Sequence, residues 1–344
     1  MADSTLAILC ISYACTFTMC LVSLCISKYF NSPRLFQLNS IVSSTSIIFI
    51  YVFLKLKSSW FDTNTLWAFS FSGLSMLTAF KFLELAFAYN WTYTRKMPLK
   101  LVAVYLLALP QMPESEAKLS ELSKQQLRLE GILLILRGIC QFIILRIFLD
   151  LTPFEWLSLS SSLCSPIFRF FRYGLCSVLL YLSIDYATGI GFGIYTILFN
   201  LQINPVYPVF PFVSTSLRDF WSCRWNNLVK TSLQRISFVV VPKLINPVMS
   251  MNHRIKGLFA FVLSGFLHEY TLWFASSKWS GKTMIFFSLH GVLVLLEITM
   301  KLPVKPNTFQ GKLLGWMWTI GILLITAPLF FDPFIEAGVF SAMK

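Results

Sequence analysis

Three histidines occur in the chain, His253, His268 and His290, and one of them stands where an imidazole could act as a base. His268 lies in "SGFLHEY", 13 residues after Ile255, which is about 20 Å along a helix rising ~1.5 Å per residue. A helix entering at the cytosolic face would carry it past the bilayer midplane. Ionisable groups at that depth are costly and by default mark a cavity or a pathway. A neutral imidazole there can take a proton from a substrate hydroxyl. The competing account is a histidine satisfied by one interhelical hydrogen bond. His253, in the basic stretch "MNHRIK", reads as solvated. His290, in "FFSLHGV", shares a helix face with Glu297 and reads as structural or cavity-lining. "HEYTL" lacks the second histidine of HExxH, which excludes a zinc protease. The eight cysteines form no CxxC pair and no Cys–His cluster with metal spacing, so neither a disulfide nor a metal is expected.

A second concentration of chemistry-bearing residues is "SLRDFWSCRWNNLVK", Ser216 to Lys230. "SLRD" fits a capping box, the Ser216 hydroxyl taking an orphan N–H while Asp219 reaches back. A helix starting at Leu217 would place Trp221, Trp225 and Leu228 on one face, with Asp219, Ser222 and Asn226 on another. Trp on one side and bases on the other describe a helix lying in the membrane interface, its Trp in lipid.

These groups are set in a chain of 344 residues that is 56% hydrophobic and 12% charged. Soluble domains carry about 25% charged residues, so most of this chain faces lipid or other helices. Nine apolar runs are candidate spans: 5–26, 35–56, 65–89, 131–149, 167–185, 187–203, 255–275, 282–300 and 313–332. The first follows "MADST", which has an acid and no base, and is expected to stay as a helix rather than be cleaved. Without an internal repeat or a Gly/Ser linker, residues 1–344 read as one multi-pass domain. "MPESEAKLSELSKQQLRLEG", 112–131, reads as a surface-lying helix. Lys81 and Glu84, three residues apart in the third span, read as a buried ion pair that fixes helix register.

The net charge of +13 comes from bases gathered between spans, which fits lipid headgroups or an anionic ligand and not nucleic acid. Counting Lys28, Arg34, Arg95, Lys96, Lys100 and the bases from Arg218 to Arg254 places those loops in the cytosol and the N-terminus in the lumen. Parity then allows one crossing between 167 and 203 where two short spans fit. "TGIGFG", 188–193, is therefore expected to be re-entrant or broken.

"SLRDFWSCRWN", then "SGFLHEY" some forty residues later, then "FFSLHG", resemble the wax synthase-like branch of the membrane-bound O-acyltransferase superfamily. That branch includes plant acyl-CoA:long-chain-alcohol and acyl-CoA:sterol acyltransferases. The resemblance covers roughly residues 200–300; earlier spans match in hydropathy alone. It implies an all-α polytopic membrane protein with roughly 8–9 transmembrane helices around an intramembrane reaction chamber. It also implies acyl transfer from acyl-CoA to a lipid hydroxyl, in the endoplasmic reticulum membrane with the motif loop cytosolic. The catalytic histidine falls on His268 and the motif asparagine on Asn226. Arg218, Trp221, Arg224, Trp225 and Lys230 are candidates for acyl-CoA binding; Ser264, Glu269 and His290 are candidates for the chamber lining. No permanently bound cofactor is implied, acyl-CoA being a co-substrate. The acceptor is a long-chain alcohol, a sterol or a glycerolipid such as diacylglycerol. Many plant members carry glycine-arginine where this chain has Ser222 and Cys223, one basic group fewer. A transporter using Lys81, Glu84, His268 and Glu269 as a proton relay is the rival reading, and repeated halves would favour it.

Overall fold

The apolar runs are helices in the computed structural model, which describes residues 2–57, 61, 64–107, 123–152, 166–203, 205–245 and 252–343. In chain order these are α1 (Ala2–Tyr29), α2 (Pro33–Lys57), α3 (Thr65–Phe87), α4 (Trp91–Lys96), α5 (Leu99–Leu107), α6 (Lys124–Leu151) and α7 (Pro166–Phe199). There follow α8 (Leu217–Asp219), α9 (Asn227–Arg235), α10 (Val241–Ile245), α11 (His253–Ser276), α12 (Lys282–Thr299) and α13 (Phe309–Glu336). Two π-helical turns, Phe220–Arg224 and Ile236–Val240, extend α8 and α9. No strand occurs among the described residues. Seven helices, α2, α3, α6, α7, α11, α12 and α13, are long and apolar enough to cross a membrane, and α1 contributes the apolar stretch Ala14–Tyr29.

The expected break at "TGIGFG" does not exist. Residues 167–185 and 187–203 belong mostly to one continuous helix, α7, of 34 residues, about 50 Å long. The ninth candidate span is lost with it, and so is the odd crossing. Two of the three glycines in "TGIGFG", Gly189 and Gly193, serve close packing instead. A Cβ on Gly193 would lie 2.5 Å from the Gly131 carbonyl oxygen of α6, and one on Gly189 would lie 3.3 Å from the Gly138 Cα. Small residues that let backbones touch are the usual means of joining helices in lipid, where apolar burial supplies no drive.

The chain divides into two compact units, Met1–Gln111 with Thr231–Met284, and Met112–Lys230 with Ile285–Lys344. In the first, polar side chains tie neighbouring helices. Asn39 of α2 donates to Ser27 Oγ and to the Ser23 carbonyl of α1. Ser75 of α3 lies 3.4 Å from the Tyr270 hydroxyl of α11. Lys81 and Glu84 are buried but are not each other's ion pair. Glu84 Oε2 instead accepts from Tyr105 at 2.8 Å and Arg235 at 3.3 Å.

In the second unit Arg137 of α6 forms a forked pair with Asp185 of α7, at 2.8 and 3.2 Å to Oδ2. Arg172 and Tyr173 of α7 both donate to Asp332 of α13. The expected surface helix at 112–131 lies outside the described residues as far as 122. From Ser123, whose capping box with Gln126 starts α6, the remainder is the first turns of a spanning helix.

Candidate active site

His268 sits on α11 of the first unit, half-buried, while Ser264, Gly265, Glu269 and Tyr270 around it are buried. Its Nδ1 lies 2.7 Å from the Ser264 carbonyl oxygen. A carbonyl can only accept, so Nδ1 carries the hydrogen and the basic lone pair is on Nε2. Ser264 therefore orients the imidazole through its backbone.

The adjacent Glu269 faces a different task. Its carboxylate accepts from Ser280 N at 3.1 Å, Thr283 N at 2.9 Å and Thr283 Oγ1 at 2.7 Å. A carboxylate on the orphan N–H groups that open α12 is favoured by the helix dipole. Glu269 fastens the α11–α12 turn.

The second unit holds the amphipathic block, and there the single-helix expectation fails. Ser216 Oγ accepts from Asp219 N at 2.9 Å, but Asp219 does not complete the box; its Oδ2 takes Arg224 Nε at 2.6 Å. After α8 the chain makes a π turn in which Trp225 N donates to Phe220 O. Trp225 is extended, at φ −82° and ψ 128°, and Asn226 has φ 37°. Asn is among the few L residues that visit this left-handed region readily. Helix α9 starts afresh at Asn227, and Asn226 Oδ1 accepts from Val229 N at 3.4 Å in the manner of an N-cap. That leaves the Asn226 amide N–H groups to donate elsewhere. The faces expected for Trp221, Trp225 and Leu228 and for Asp219, Ser222 and Asn226 are thus interrupted at Trp225–Asn226.

The Trp pair packs among other aromatic rings. Trp225 stacks on Phe220, with centroids 5.1 Å apart, and meets Tyr207 edge-on at 5.5 Å. Trp221 packs against Phe287 at 5.6 Å and His290 at 5.4 Å. Both are half-buried in this aromatic cluster. Arg218, Ser222 and Cys223 are the exposed side chains of the block.

Helix α12 holds the block from behind. Trp221 Nε1 donates to His290 Nδ1 at 3.2 Å, and His290 Nε2 donates to Thr326 Oγ1 at 2.9 Å. Thr326 passes its own hydrogen to the Ile322 carbonyl. His290 is fully buried with both nitrogens engaged, so it is a structural link. Seven residues on, Glu297 accepts from Leu217 N and Arg218 N, both at 2.9 Å, and from Trp318 Nε1 at 3.2 Å. Sequence reasoning missed this cap, because its partners are backbone N–H groups that leave no mark in the residue types.

The candidate acyl-CoA bases divide. Arg224 is held by Asp219 and by the Phe210 carbonyl, at 3.0 Å. Lys230 donates to the Ser222 carbonyl at 2.9 Å, and burial draws its ammonium below its ordinary pKa, with Cys223 acting the other way. Arg218 is exposed and makes no side-chain hydrogen bond among the described residues. No cluster of His, Cys, Asp and Glu among the described residues could hold a metal.

These features define an all-α, multi-pass membrane protein with a compact polar segment between its hydrophobic helices. Residues 206–289, which contain both Asn226 and His268, match the model of the Membrane bound O-acyl transferase family. Among curated proteins, the chain is 34% identical over 148 residues to "Probable long-chain-alcohol O-fatty-acyltransferase 7" of Arabidopsis thaliana, covering 40% of this chain and 42% of that protein. It is 29% identical over 140 residues to "Long-chain-alcohol O-fatty-acyltransferase" of Simmondsia chinensis, covering 39% and 40%. It is 27% identical over 136 residues to "Acyl-CoA--sterol O-acyltransferase 1" of Arabidopsis thaliana, covering 39% of each. The chain thus spans less than half the length of each of these three relatives. The resemblance to the wax synthase-like branch is shown by these matches.

Proposed function

We propose that the protein is an acyl-CoA-dependent O-acyltransferase that esterifies a lipid hydroxyl, that of a long-chain alcohol or a sterol. The observation that carries this reading is His268 itself: it lies within the matched segment, and its Nδ1–Ser264 hydrogen bond puts the basic lone pair on Nε2. In the proposed reaction Nε2 takes the acceptor's hydroxyl proton as its oxygen attacks the thioester carbonyl. The C–O bond forms, the carbonyl oxygen becomes an oxyanion, and an amide N–H of Asn226 donates to it. Such a contact is worth about 3–4 kcal/mol in the transition state. Collapse breaks the C–S bond, and the CoA thiolate recovers the proton from His268. No acyl-enzyme is invoked, since the bond-making is direct.

Arg218 is the base proposed to meet the CoA phosphates, with Arg224 and Lys230 shaping the π turn beside it and Trp221 and Trp225 forming its apolar support. The proposed location is the endoplasmic reticulum membrane, with the block on the cytosolic side. Fatty alcohols, sterols and diacylglycerol each offer one hydroxyl on a large apolar body, and apolar pockets separate such bodies weakly. The test incubates membranes carrying the chain with labelled acyl-CoA and a panel of long-chain alcohols, sterols and diacylglycerol. Wild type is expected to form labelled ester and His268→Ala almost none while accumulating normally. A His268→Ala protein that esterifies at the wild-type rate overturns the assignment.

A further inference from the structure

The reaction just described leaves a buried polar pair on α3 unused. Lys81 is 3% exposed and Glu84 is fully buried. Glu84 Oε2 is taken by Tyr105 and Arg235, whereas Oε1 is buried and makes no hydrogen bond among the described residues. The Lys81 ammonium makes none there either; it lies 5.4 Å from the centroid of the same Tyr105 ring. An ammonium and a carboxylate oxygen left unsatisfied in a spanning helix are costly and mark a site that something polar enters.

The two groups restrict what that something is. They are three residues apart on one helix and so project from the same side. An occupant must accept a hydrogen bond from Lys81 and donate one to Glu84 Oε1. A hydroxyl does both. A carbonyl or a carboxylate cannot donate to Glu84.

Packing against α11 fixes the depth. Phe61 meets Phe274, a Cβ on Gly73 would touch Thr271 at 3.8 Å, and Ser75 meets Tyr270. Numbers rise along α3 as they fall along α11, so Lys81 comes at about the level of Ser264. Helical side chains lean toward the N-terminus of their helix, and the His268 ring is bonded to the Ser264 carbonyl. The imidazole and the Lys81–Glu84 pair therefore lie at similar depth within this unit.

We propose that Lys81 and Glu84 form a docking site for the hydroxyl of the lipid acceptor, occupied before its proton goes to His268. This rests on the reading of His268 as the base. The test measures binding without acyl-CoA: tritiated 1-hexadecanol is titrated onto the purified full chain in nanodiscs, with hexadecane, which lacks the hydroxyl, as the comparison. Wild type is expected to prefer the alcohol, and Lys81→Met to lose that preference. In turnover, Lys81→Met should raise KM for 1-hexadecanol roughly tenfold, the loss expected of a hydrogen bond to a charged group, with KM for acyl-CoA unchanged. Glu84→Gln provides a second variant, since its carbonyl can still accept from Tyr105 and Arg235 while its amide nitrogen cannot accept from the alcohol. A folded Lys81→Met or Glu84→Gln protein that keeps the wild-type preference shows that water alone occupies the pair and overturns the proposal. Alcohol preference in a wild-type protein that makes no ester would instead remove the enzymatic reading and leave the docking site standing.

Discussion

The indole of Trp221 donates its hydrogen to Nδ1 of His290 at 3.2 Å, so a residue of the amphipathic block is tied to the middle of a spanning helix. His290 donates its one ring hydrogen, on Nε2, to Thr326 of α13, completing a three-member chain. Breaking it leaves a buried imidazole or indole nitrogen unsatisfied, which costs about 1–3 kcal/mol. Trp221→Phe and His290→Ala should each lower thermal stability in detergent, and the double variant should lose less than the sum of the two. Full additivity would show that the contact contributes nothing. His290→Ala should still esterify, unlike His268→Ala.

Asn226 combines a backbone role with a proposed chemical one, and two substitutions separate them. At φ 37°, alanine is strained by roughly 1–2 kcal/mol, whereas glycine is at ease there. Asn226→Gly should therefore fold at least as well as Asn226→Ala, yet both should lose kcat by a factor of about 10² or more. Recovery of wild-type kcat in Asn226→Gly would assign the residue to the turn alone.

The bases of the block should part company under substitution. Arg218→Gln removes an exposed charge and should raise KM for acyl-CoA more than KM for the alcohol. The effect should shrink as salt rises, because exposed charges are screened beyond about 10 Å at 0.1 M. Arg224→Gln strips Asp219 of its 2.6 Å partner and should show itself as lost stability. Equal changes in both KM values for Arg218→Gln would point to a lipid-headgroup contact.

Glycine positions on α7 give a matched pair. Alanine at Gly193 meets the Gly131 carbonyl at 2.5 Å, whereas alanine at Gly191 meets nothing within 4 Å. Gly193→Ala should cost about 1–3 kcal/mol through forced separation of α6 and α7. Gly191→Ala should be neutral or stabilising by up to about 1 kcal/mol, as expected for a helix interior. Thermal unfolding of both in the same detergent decides it, and equal midpoints would rule out a glycine-mediated contact.

Orientation is open to chemistry at Cys223, an exposed side chain in the block. In a background without other cysteines, an impermeant thiol reagent added to sealed microsomes should label it if the block is cytosolic. Protection that persists until the membrane is permeabilised places the block in the lumen.

Much of this molecule is written in its residue types. Apolar runs of about 20 residues have few alternatives to spanning helices, because hydrocarbon leaves no other way to satisfy the backbone. The place of His268 on α11 follows from its count along such a run. Partner choice was not legible. Lys81 and Glu84 have the spacing of an ion pair, yet Glu84 takes Arg235, which is 151 residues away along the chain. "TGIGFG" has the composition of a break and is instead a contact surface, because what faces it is Gly131 and Gly138 of α6. Glu297 caps α8 through backbone N–H groups that every non-proline residue possesses. Local sequence sets which segments enter the membrane, since transfer energy adds residue by residue. Hydrogen-bond and ion-pair partners depend on distances between helices far apart in the chain, and only the tertiary structure decides those.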